Sequence, residues 1–205
     1  MLLFQSPNIN AGIGKVTEQT GNASITREKK ALESKKDFSV ESMDVVETAN
    51  SVVGISFEDD TQVSVTENSK LVIDDFVYDP NNKSVGKLAL KCAIGTVRYA
   101  SGNIAHANNK NVAINTPTAT IAVRGTAFTM TVDETGQSLI VLLPSCKDDK
   151  DVKQYELQEN KCKVGKIDVE NMAGKVTLDQ AFQATYVQSA TMAPSPPTFV
   201  NTIEN

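Results

Sequence analysis

The chain holds one histidine, His106, so any Ser-His-Asp arrangement or imidazole-based metal site would have to be built on that residue. It lies in Gly102-Asn-Ile-Ala-His-Ala-Asn-Asn109, a loop-like stretch, and reads as a surface histidine. Three cysteines, Cys92, Cys146 and Cys162, form no CxxC pair, which argues against a zinc site and against a disulfide-framework protein. Cys92 sits in an alternating apolar stretch and is expected to pack as a small core residue. Cys146 and Cys162 flank a polar segment. They would bridge it in an oxidising compartment and stay as free thiols in a cytosolic one. Asp59-Asp60, Asp74-Asp75 and Asp148-Asp149 raise the question of calcium. None has the spaced oxygen ligands of a calcium loop, and they read as turn acids. Gly12-x-Gly14 lacks the strand–helix setting of a phosphate loop. No residue stands out as catalytic, cofactor-binding or metal-ligating, so the expectation is a non-enzyme without a cofactor.

The elements that would carry such residues are strands. Hydrophobic residues make up 40% of the 205 residues, but there is no Trp and aromatics are only 5%. The core must be built mainly from Val, Ile, Leu and Ala, and the β-branched members of that set suit pleated surfaces. Period-2 alternation runs through Ser51–Phe57, Thr61–Thr66, Lys70–Tyr78, Lys87–Cys92, Gly95–Ala100, Asn111–Asn115, Ala119–Val123, Ala127–Val132 and Gln137–Leu143. It resumes at Val164–Val169, Lys175–Leu178 and Ala181–Val187. Turn residues separate most of these runs, with Asp79-Pro-Asn-Asn82 the strongest signal. No fixed repeat period is present. The reading is one all-β domain, a β-solenoid or jelly-roll-like wrap. Glu28–Lys36 is read as a loop with one helical turn at most, since Ala31 and Leu32 are its only apolar residues.

The expected layout is an N-terminal arm over residues 1–12, a domain over 13–187 and an extended tail over 188–205. Residues 144–163 read as a polar hairpin inserted between core strands. The tail contains Pro194, Pro196 and Pro197 and should lie extended or disordered until bound. A net charge of −5 and the absence of a basic stripe argue against nucleic acid as a partner. Four apolar residues before Gln5 are too few for a signal segment, and no run approaches the ~20 residues that span a bilayer. Membrane insertion is not expected.

Four segments resemble the FecR protein domain family. The first is Val53-Gly-Ile-Ser-Phe-Glu-Asp-Asp-Thr-Gln-Val-Ser-Val65 followed by Asn68-Ser-Lys-Leu71. The second is Leu88-Ala-Leu-Lys-Cys-Ala-Ile-Gly-Thr-Val-Arg98. The third and most specific is Ile114-Asn-Thr-Pro-Thr-Ala-Thr-Ile-Ala-Val-Arg-Gly-Thr-Ala-Phe128, similar to the family's hallmark. The fourth is Val164 to Gln180. The family's Asp-Gly turn is replaced here by Asp59-Asp60. The resemblance implies a compact β wrap. Within the hallmark, Pro117 is read as a strand start, Gly125 as a bend and Phe128 as a core anchor. Arg124 is expected to tie carbonyls or a carboxylate across the bend, with ligand binding as the alternative.

The resemblance also implies a ligand-sensing or sigma-regulatory signalling role. No sigma-binding helical segment and no transmembrane helix precede the domain in this sequence, so the main expectation moves to a structural or interaction subunit of a larger assembly. A phage virion protein is its concrete form, with other subunits or further copies of itself as partners. Residues 144–163 and 188–205 would be its contact elements. The expected location is the virion, or otherwise the cytoplasm. A carbohydrate-binding module is a further alternative, short of aromatic platforms.

Overall fold

The computed structural model describes residues 12–82, 85–146 and 162–200. The arm, most of the 144–163 insertion, Asp148-Asp149 and residues 201–205 lie outside them. The chain is all-β. Among the described residues, seventeen strands form one hydrogen-bonded network folded into two sheets.

The first sheet runs β4 (Ser39–Val40), β1 (Gly14–Thr20), β6 (Val52–Phe57), β7 (Gln62–Val65), β9 (Lys87–Ala100), β12 (Ala127–Val132), β13 (Ser138–Leu143), β18 (Gln183–Val187) and β19 (Thr198–Phe199), every pair antiparallel. The second runs β3 (Lys30–Glu33), β2 (Ala23–Arg27), β5 (Val45–Thr48), β8 (Lys70–Val77), β9 again, β10 (Val112–Asn115), β11 (Thr120–Arg124), β16 (Lys166–Asn171) and β17 (Gly174–Leu178). Only β9–β10 is parallel in that sheet. A separate two-stranded piece pairs β14 (Ser145–Cys146) with β15 (Cys162–Lys163).

Alternation in the sequence becomes alternation in burial. In β6, Val53, Ile55 and Phe57 are buried, while Val52, Gly54 and Ser56 stay partly exposed. The inward rows of both sheets merge into one core, which takes Val97, Tyr99, Phe128 and Met130 from the first sheet and Leu71, Leu90, Ile114 and Ile121 from the second. Phe57 stacks on Phe76 at 5.4 Å between ring centroids and joins the layers.

One strand belongs to both sheets. The first part of β9 pairs with β8 and β10, and its last residues pair with β7 and β12. The change comes at Gly95, whose φ is +84°. A Cβ there would lie 2.5 Å from the Ser69 Cα and 2.1 Å from its hydroxyl. Ser69 is buried and its Oγ accepts from the Thr96 amide at 2.9 Å, so the backbone needs both the left-handed turn and the close approach.

Two segments differ from expectation. Glu28–Lys36 holds no helical turn. Glu28 and Lys29, at φ 50° and 67°, form the two-residue connection of a β2–β3 hairpin. At the end of β2, Arg27 donates through Nε and a terminal nitrogen to both oxygens of fully buried Asp44, at 2.8 and 2.7 Å, and through its other terminal nitrogen to Glu41, which anchors the hairpin to the loop before β5. The tail is extended, but it lies along its own domain. Ser195 donates its amide to the Tyr186 carbonyl at 2.9 Å, its Oγ accepts from the Tyr186 amide at 2.9 Å, and β19 pairs with β18. Proline at 194, 196 and 197 leaves that edge poor in donors, which discourages pairing with another chain.

Gly95→Ala tests the crossing. It should lower stability by about 2–5 kcal/mol, from left-handed strain plus overpacking against Ser69. Urea unfolding measures this, and an unchanged midpoint would contradict the role given to Gly95.

Candidate functional site

The hallmark is a folding element, and its polar groups are taken up internally. Pro117 occupies the turn closed by the Thr116 amide on the Ala119 carbonyl at 2.9 Å. The Thr116 hydroxyl accepts from the Ala119 amide at 3.1 Å. Buried Thr118 and Thr116 both meet the Ser138 hydroxyl, at 2.7 and 2.8 Å, which ties the hallmark turn to β13 in the other sheet. Gly125, at φ +60°, carries the chain from β11 to β12. Thr126 secures the crossing: its amide donates to Ser101 Oγ at 3.0 Å, and its own Oγ1 accepts from the Gly165 amide at 3.2 Å and reaches the Leu143 carbonyl at 3.4 Å. Phe128 packs on Tyr99 at 5.3 Å.

Arg124 ties a carboxylate, one of the two roles expected for it. It donates to Asp168 Oδ2 on β16 at 2.8 Å, while Thr177 donates to Oδ1 at 2.6 Å and Lys175 stands 3.5 Å away. Burial pushes the Asp168 carboxyl up, but the Thr177 and Arg124 hydrogen bonds and the neighbouring positive charges outweigh it, and the pKa falls below its ordinary value.

Asp59-Asp60 is a structural turn. Asp59 is fully buried; Oδ1 accepts from the Thr61 amide at 3.1 Å, and Oδ2 from the Thr61 hydroxyl at 2.9 Å and the Ile104 amide at 3.1 Å. It thereby holds a short helix, α1 (Asn103–Ala107), which occupies the stretch expected to be a loop. Asp60 takes the left-handed position, φ 67°, that the family's turn gives to glycine, and Asn103 donates to its carboxylate at 2.8 Å. Asp75 pairs with Lys87 at 2.8 Å. Among the described residues no group of three or more His, Cys, Asp or Glu is placed to hold a metal ion. His106 is exposed on α1, beside Gly125.

A cleft of ≈ 440 Å³ lies on the outward face of the first sheet. Its floor is made of small residues, Gly54, Ser64, Ala100 and Ala127, from four strands. One wall is the β1 bulge, where the β6 register slips between Val16 and Glu18 and Thr17 is the extra residue. The other wall is Ser145 and Cys146 on β14. Gln62 and Arg98 supply an amide and a guanidinium. Among the described residues, no aromatic lines the cleft. Cys146 and Cys162, left open between thiols and a bridge by their spacing, are joined as a disulfide across β14 and β15.

Sequence reasoning did not find this cleft. Its residues are scattered from Thr17 to Cys146, and each is an unremarkable outward-facing position of a strand. The one local signal was that Gly54, Ser64 and Ala100 are small on the polar side of alternating runs.

Residues 44–144 match the family model described as FecR protein. The chain carries a FecR protein domain. The match takes in β5 to β13, and therefore the Gly95 crossing, the hallmark and the cleft floor. β1–β4 and β16–β19 add the outer strands of both sheets around it. Two solved structures of a candidate anti-sigma factor from Parabacteroides distasonis ATCC 8503 share the fold, one at TM-score 0.51 and 9% identity and the other at 0.52 and 11%. The alignments cover 77% and 76% of this chain, but 60% and 58% of theirs, so the chain spans less than two thirds of those proteins. No curated protein matches the sequence. These findings overturn the expectation of a phage virion subunit: the FecR match and the anti-sigma neighbours point to sigma-regulatory signalling, the alternative.

The Arg124–Asp168 tie has a pH signature. A depressed carboxyl contributes stability above its unfolded pKa, near 3.9, and that contribution is lost as pH falls through the folded value. Asp168→Asn should therefore be less stable than the parent at pH 6, with the gap closing below about pH 4. Urea midpoints from pH 6 to 2.5 measure this; a gap independent of pH would contradict the assignment.

Proposed function

We propose that the chain is a non-catalytic regulatory module of the FecR type, acting by protein–protein contact in the control of a sigma factor. The observation that carries this reading is the family match over residues 44–144. The fold shared with the anti-sigma neighbours supports it. The outward cleft is the contact site in this proposal. Its floor lies within the matched region, and its small floor residues let a partner's chain approach the sheet closely. Gln62, whose amide donates to Ser56 Oγ at 2.7 Å, and Arg98 lie along the cleft. The disulfide supports action in an oxidising compartment.

The hallmark loop is a poorer candidate. Its hydroxyls, amides and guanidinium are engaged within the domain. The tail lies along β18 and needs no partner to become extended.

The test is affinity recovery from the native source, with the parent chain and Ser64→Trp compared. Ser64 points into the cleft, away from the core, so the indole fills the cleft without disturbing the fold. The parent should recover a sigma factor or an outer-membrane receptor, identified by mass spectrometry, and Ser64→Trp should recover about tenfold less at an unchanged melting temperature. Recovery of neither, or equal recovery by both chains, would overturn the reading.

A further inference from the structure

We propose that Asn171 is a positioning residue that joins the hallmark turn to the strap over residues 189–200, so that a change at either is transmitted to the other. Asn171 is the last residue of β16 and pairs with Gly174 across the turn made by Met172 and Ala173. Its carboxamide works in two directions. Oδ1 accepts from the Ala173 amide at 2.9 Å and the Gly174 amide at 3.2 Å, which satisfies the turn. With the oxygen committed there, the amino group faces the strap. Nδ2 donates to the Met192 carbonyl at 2.7 Å and the Ser189 carbonyl at 3.0 Å, and it reaches the Thr118 carbonyl of the hallmark turn at 3.4 Å.

The link runs on into the first sheet at both ends. On the hallmark side, Thr118 Oγ1 meets Ser138 Oγ of β13 at 2.7 Å. On the strap side, a Cβ on Gly174 would lie 3.1 Å from the Ala193 Cβ, so the hairpin and the strap are already in close contact. Ser195 then bonds the Tyr186 amide and carbonyl of β18, each at 2.9 Å, and its own carbonyl accepts from Thr185 Oγ1 at 2.6 Å. β18 pairs with β13 at Ser138↔Val187 and Leu139↔Tyr186. The contacts close a ring from β13 through the hallmark turn, Asn171, the strap and β18 back to β13. Asn171 supplies the side chain of that ring that comes from the second sheet.

The coupling comes from a shortage of donors. A carboxamide has two N–H groups, and three carbonyls, two on the strap and one on the hallmark turn, share them. A shift of the strap therefore changes the bond left for Thr118, and a shift of the turn changes the bonds left for Ser189 and Met192. Hydrogen bonds that share a group in this way are not additive. The link stands on these contacts and does not rest on the cleft or on the proposed function.

The test is nuclear magnetic resonance with amide exchange on the full chain, comparing the parent, Ser195→Ala, Asn171→Asp and the double variant. Ser195→Ala disturbs the strap at β18. Asn171→Asp keeps acceptors for the Ala173 and Gly174 amides but has no N–H to donate, which separates support of the turn from the link. In the parent background, Ser195→Ala should shift the Thr118 and Ala119 amide resonances and quicken exchange there about threefold or more, with β9 and β12 unchanged. In the Asn171→Asp background, Ser195→Ala should add nothing at the hallmark turn. Asn171→Ala serves as a second background without the donors, and the same result is expected there. A Ser195→Ala effect that stops within the strap and β18, or one that reaches the hallmark turn equally with and without the Asn171 amide, would overturn the proposal.

Discussion

The fold depends on one backbone crossing. β9 serves β8 and β10 in one sheet and β7 and β12 in the other, and it changes allegiance at Gly95, where only glycine fits against Ser69. Because a single strand belongs to both layers, their relative position is set by covalent geometry rather than by side-chain packing alone. The inward rows then meet as one core, and the outward row of the first sheet is left with the small residues that form the cleft floor.

The FecR hallmark supplies the second crossing. Gly125 turns the chain from β11 to β12, and Thr126 fastens that turn to the ends of β9, β13 and the strand entering β16. The segment that best marks the family is thus a clamp between layers.

Much of this was legible in the residues because it is local. Strand alternation in Ser51–Phe57 or Ala127–Val132 is a two-residue period and translates directly into burial. Gly125 and Pro117 announce a bend and a turn by their own backbone limits. What escaped is non-local. The Glu28–Lys29 hairpin is anchored by Arg27 reaching Asp44, 17 residues away. The helix around His106 is held by Asp59, 45 residues before the Ile104 amide it accepts from. The tail, rich in proline and polar residues, reads as a free strand because its bonds to β18 run through backbone and a serine hydroxyl, which leave no hydrophobic pattern. The cleft is a property of five strands and a hairpin neck together, and no window of sequence contains it.

The central claim is that a signalling partner is read on the outward face of the first sheet. Amide hydrogen exchange on the complex with the recovered sigma factor or receptor tests it most directly. Protection should concentrate on β1 around Thr17, on β7, on the Thr96–Ala100 part of β9 and on the start of β12. Protection confined to the Thr116–Ala119 turn or to the 189–200 strap, with the cleft strands unchanged, would contradict it.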